Sequence, residues 1–233
     1  MTPPRPSSYA HAVYDNHSGG STTMFSYYPR SAAEFLIVAE ALLALLSLPS
    51  APAALVARVQ GALEALARAY VDAVANHRAG ISAQDAARAA RDVADTACDR
   101  KGMAFIQAVK YREGGEAVLG ELRQSWGGEA PNLLFARPDA DQVATLDRFF
   151  ALTDARADLS LPKNAYEEFK AAHEEMKRLV RAEEAADAAR DTLSAAVKTA
   201  ERAFAPAYRF FIRELLFNEG EDTVRDNLPR FER

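Results

Sequence analysis

The chain has 233 residues, 49% hydrophobic and 26% charged, with a formal net charge of −5 and a single cysteine, Cys98. That length supports one large domain or two small ones, with a core that needs neither disulfides nor a metal. The acidic balance speaks against nucleic-acid binding, which wants a basic face to displace counterions from phosphates, and one thiol rules out a disulfide scaffold.

Residues 1 to 30 are rich in Ser, Thr, Gly and Pro and show no apolar periodicity. Composition marks them as an arm outside the folded body. The arm nevertheless carries Tyr9, Tyr14, Phe25, Tyr27 and Tyr28. Aromatic side chains bury large area at small entropic cost, so these five are candidate contact residues.

"EFLIVAEALLALLSLPSAPAAL", from Glu34 to Leu55, could be an export signal, a membrane segment or a core helix. A membrane span needs about 20 apolar residues, and Glu40 interrupts a run of fourteen, Phe35 to Leu48. A signal peptide would have a basic flank, where this run has a polar and aromatic one. A buried helix fits best: Ser31 caps it, Glu34 completes a capping box, and Pro49 stops it.

After Pro52, the stripe Leu55, Val59, Leu63, Leu66, Tyr70 and Val74 predicts an amphipathic helix to about Asn76, ended by Gly80. Ser82 would open a second helix running to about Arg112. Its inner face reads Ala86, Ala90, Val93 and Ala97, then Met103, Phe105, Ile106 and Val109. A short helix follows from Glu116 to Trp126. Residues 127 to 138, rich in Gly and Pro, read as a linker. The next helix starts at Asp139 and carries Val143, Leu146, Phe149 and Phe150. A long helical region begins after Pro162, with Tyr166, Phe169, Met176, Leu179 and Val180 inside. Residues 181 to 190 read as a solvated hairpin tip, with one unbroken helix as the alternative. The pattern resumes at Leu193 and should kink at Pro206.

"SLP" at 47 to 49 and again at 160 to 162, and "GGEAVLGEL" against "EGEDTVRDNL", suggest an internal duplication of helical hairpins. The expected fold is all-α: an elongated up-and-down bundle of four long helices plus short ones. Residues 31–126 would form one half, and 139–233 a second half packed on it. No strand signal competes.

Few residues suggest chemistry. His11, His17, His77 and His173 lack the Glu-x-x-His spacing of di-iron bundles. His173, Glu174 and Glu175 are adjacent on a helix and would point about 100° apart. Glu174 and Arg178 suit an i, i+4 ion pair on a solvated face. Phosphate-binding glycine loops and nucleophile elbows are missing. We therefore expect no catalytic residue, no cofactor and no metal. Trp126 and the apolar "FFIRELLF" segment with Phe210, Phe211 and Phe217 complete the candidate contact residues.

The leading expectation is a non-enzymatic, self-associating interaction protein whose partner is itself, cytoplasmic, with no nucleic acid and no membrane. A small-molecule-binding or catalytic bundle, using Tyr70, Tyr111, His173 and Tyr208, is the alternative. A secreted or membrane-active helical protein is the third.

Overall fold

The computed structural model describes residues 25–128, 135, 139–156 and 158–232. The architecture is all-α, with six helices among the described residues: α1 (Ala32–Leu45), α2 (Ala53–Ala62), α3 (Glu64–Lys110), α4 (Gly115–Ser125), α5 (Asp139–Asp154) and α6 (Lys163–Asn227). One feature was not foreseen. A two-residue strand β1 (Phe25–Ser26) pairs antiparallel with β2 (Phe231–Glu232). No stretch of alternating residues announces it, because it is a single short pairing between distant parts of the chain.

Ser31 caps α1 as expected, its Oγ accepting from the Glu34 N–H at 3.2 Å. Glu34 reaches back to accept from the backbone N–H of Arg30, one residue earlier than in a standard capping box. Leu63 (φ −126) separates α2 from α3.

The four long helical segments are present but joined in pairs. The turn expected at Gly80 and the tip expected at 181 to 190 are both helical, so α3 runs unbroken for 47 residues and α6 for 65. A glycine inside a helix costs about 1 kcal/mol, and side-chain bonds from the neighbouring turns offset it. Gln84 donates to Asp187 at 2.5 Å, and Arg88 pairs with Glu183 at 3.2 Å. The supposed solvated tip is thus the acidic half of a polar seam. Pro206 lies within α6 without breaking it; the non-helical residue is Gly220 (φ 80, ψ 176). There the backbone takes a conformation that favours glycine.

The chain divides into two compact units. Unit 1 comprises Met1–Arg78 with Leu193–Arg233, and unit 2 comprises Ala79–Thr192. Each takes part of both long helices, so the units do not follow the sequence halves.

Unit 1 has one apolar core. Phe35, Val38 and Leu42 of α1 meet Leu55 and Val59 of α2, Tyr70 of α3, and Phe204, Tyr208 and Ile212 of α6. Tyr70 stacks on Phe204 with centroids 5.8 Å apart. The two buried phenols find partners: Tyr70 donates to the Ala32 carbonyl at 3.0 Å, and Tyr208 to the Tyr27 carbonyl at 3.2 Å. The second bond and the strand pair tie the root of the N-terminal arm to its own unit.

Unit 2 gathers Phe105, Phe149, Phe150, Tyr166 and Phe169 into one aromatic cluster, with Trp126 against Phe149 at 5.6 Å. In α3 the bulky end of the expected inner stripe, Phe105, Ile106 and Val109, is buried, while the alanine-rich part before it is rotated by one residue. Ala94 and Cys98 are buried, while Ala86, Ala90 and Val93 are exposed and Met103 is 37% exposed. The rotation places Gln84 and Arg91 toward α6, where Arg91 meets Glu183 at 3.0 Å. Polar pairing, not an alanine seam, sets the rotation of this stretch. Much of the expected linker, 129–134 and 136–138, lies outside the described residues.

Candidate functional site

The contact residues named from sequence separate into three groups. Tyr9 and Tyr14 lie outside the described residues, and Phe25 is described only as backbone in β1. Trp126 (3% exposed) and Phe211 (5%) are buried in the cores of their own units. Tyr27 is half-buried and Tyr28 is 37% exposed. Phe210 (58%) and Phe217 (89%) stand in solvent.

Helical geometry explains this sorting. The buried face of α6 in unit 1 carries Phe204, Ala205, Tyr208, Phe211, Ile212 and Leu215. Residues seven apart return to nearly the same angle on a helix, so Phe210 and Phe217 share one face. That face also carries Ala203, Pro206 and Arg213, all exposed. The spacing of 3, 4, 3 and 4 is that of a heptad seam. It lies on the side of the helix away from the core. Two exposed phenylalanines on one helix face make it a candidate contact surface.

The charges flanking this face are sorted by sign. Arg202 and Arg209 line one edge, and Glu214 the other. The Arg209 guanidinium lies 5.6 Å over the Phe35 ring. Arg213 and Glu214 are exposed and make no ion pair among the described residues.

A second cluster sits in unit 2. His173 is fully buried and stacks on Phe150 at 5.2 Å. It occupies the stripe Tyr166, Phe169, His173 and Met176, a spacing of 3, 4 and 3 that the sequence displays. Its Nε2 lies 2.8 Å from Asp147 Oδ1, and Lys177 Nζ donates to the same oxygen at 2.8 Å. Burial pushes the Asp147 carboxyl up, but the Lys177 and His173 hydrogen bonds outweigh it and hold it below the usual carboxylate range. Nδ1 is buried and has no partner among the described residues, which suits the tautomer with hydrogen on Nε2.

Asp147, His173 and Glu174 bring one ligand atom each within 4.8 Å of one another. The expectation that His173 and Glu174 diverge is thereby corrected, since side-chain reach overcomes their angular separation. Lys177, however, already supplies the cation that Asp147 needs. One imidazole and two carboxylates beside an ammonium make a poor metal set. The cluster is a satisfied ion pair closing over a buried histidine. On the outer turn, Arg178 pairs with Glu175 (i, i+3) rather than with Glu174.

The polar groups proposed for a ligand pocket line neither of two open clefts. Tyr111 is 84% exposed, His173 is buried in unit 2, and Tyr70 and Tyr208 are buried in unit 1. Two open clefts of about 250 and 240 Å³ are lined by other residues, the first by Leu122, Leu152 and Arg156, the second by Phe35, Arg202 and Arg209. Burial, with Asp99 and Asp95 nearby, pushes the Cys98 thiol up to about 12, far from a nucleophile's range. No helix among the described residues is long and apolar enough to cross a membrane.

No protein-family model, curated protein or solved structure matches this chain.

Proposed function

We infer that the chain is an interaction protein that associates with itself, and that the outer face of α6 in unit 1 is where it does so. One observation carries the reading: Phe210 and Phe217, seven residues apart, are 58% and 89% exposed on a helix whose opposite face is fully used by the core. Covering two such rings removes apolar area from water at about 25 cal/mol per Å². The helix is already folded, so little ordering entropy opposes docking.

The N-terminal arm adds contact area in this reading. Its root is fixed to unit 1 through β1 and the Tyr208 hydroxyl. Light scattering after size exclusion tests both parts, on the full chain and on a chain lacking residues 1 to 24. We expect a mass above that of the monomer for the full chain and weaker association for the shortened one. A monomeric mass for the full chain at high concentration would refute the reading.

A further inference from the structure

We propose that the occupant of the α6 outer face is the same face of a second copy, docked in parallel, with Arg209 of each copy paired to Glu214 of the other. The proposal rests on the self-association reading and adds its geometry.

Charges along the seam are complementary in one orientation only. With Ala203, Phe210 and Phe217 in the first position of successive heptads, Pro206 and Arg213 fall in the fourth. Arg202 and Arg209 then occupy the seventh position and Glu214, ahead of the non-helical Gly220, the fifth. In a parallel helix pair, a seventh-position residue faces the fifth-position residue five further along the partner. Arg209 plus five is Glu214. The two-fold axis makes this pair twice. In an antiparallel pair, positions of the same kind face each other. Arginine then meets arginine or leucine and glutamate meets glutamate or alanine, and no register brings Arg209 onto a glutamate.

The groups are free to pair in this way. Glu214 makes no ion pair among the described residues. Among the described residues Arg209 makes only the contact over the Phe35 ring, an interaction that an ion pair can replace. Arg213 sits within the seam, where each copy would place it beside Glu214 of the other. A polar residue at one seam position lowers affinity while fixing register. Parallel docking stacks Phe210 on Phe210 and Phe217 on Phe217 across the axis. The seam from Ala203 to Phe217 is about 21 Å long. An interface this short belongs to the weak class, so association in the micromolar range is expected.

Charge-swapped full-length chains test the geometry by sedimentation equilibrium. Arg209→Glu alone and Glu214→Arg alone each place like charges in contact, and each should weaken association by about tenfold or more. Mixed in equal amounts, the two chains form a pair in which both contacts are again opposite in charge. The mixture should recover to within about threefold of the native chain, as should Arg209→Glu/Glu214→Arg in one chain. Arg213→Leu should tighten association. All three side chains are exposed, so circular dichroism and the thermal midpoint should stay at native values.

If the single swaps leave association unchanged, or if the mixture fails to recover, parallel pairing is wrong while self-association through the phenylalanines can still stand. If the native chain is monomeric throughout, proposal and reading both fall.

Discussion

His173 shows what one residue contributes. It occupies a core position of α6 with no exposed surface, and its partner Asp147 satisfies Lys177 as well. Truncating Asp147 leaves a buried Nε2–H and an ammonium with no acceptor. For Asp147→Ala we expect a loss of about 1 kcal/mol in urea unfolding at pH 7, discounted because the carboxylate is partly exposed. The folded carboxyl is held below its unfolded value, so its stabilisation is present above about pH 4 and disappears as pH falls through the folded pKa. The gap between native and variant chains should therefore narrow from pH 7 toward pH 2. A gap that stays constant would show that shape, not charge, is the cause. Cys98 provides a simpler check. A fully buried thiol raised to about 12 should stay unmodified by a thiol reagent at pH 8 until the chain unfolds. Prompt native-state labelling would contradict that burial.

The long helices carry the lesson at the scale of elements. The Ser31 cap, the Leu55, Val59, Leu63 and Tyr70 stripe and the α4 and α5 spans were legible because each depends on neighbours a few residues away. Gly80 and the 181 to 190 stretch were misread because their apolar signal is weak. Their helix is held by Gln84, Arg88 and Arg91 reaching Asp187 and Glu183, about a hundred residues distant. The stripe that carries His173 was visible in the sequence, but its partner Asp147 lies 26 residues away and had no local signal. The pairing of Phe25 with Glu232 had no local signal at all. Continuity of α3 makes a distinct prediction. Gly80→Pro should cost about 3 kcal/mol, because proline lacks the N–H that a mid-helix position needs. A turn at residue 80 would tolerate it. Gly61→Ala, where an added Cβ meets nothing within 4 Å, should stabilise by about 0.5–1 kcal/mol. Both values are read from urea midpoints, and a silent Gly80→Pro would contradict an unbroken α3.

For the whole molecule, the two units invest their apolar residues differently. Each closes its own core, with aromatic clusters around Phe204 in unit 1 and around Phe149 in unit 2. Unit 1 also keeps Phe210 and Phe217 outside that core. Exposed phenylalanines were visible in "FFIRELLF" as residues that cannot all face one seam, but which of them turn outward depends on the packing of α1 and α2 against α6. The central claim is that this outer face is a contact surface between copies. Sedimentation equilibrium of Phe210→Ser/Phe217→Ser beside the native chain tests it most directly. The account predicts a native chain whose apparent mass rises with concentration through the micromolar range, and a variant that stays monomeric with an unchanged thermal midpoint. Equal masses for the two chains at every concentration would contradict it.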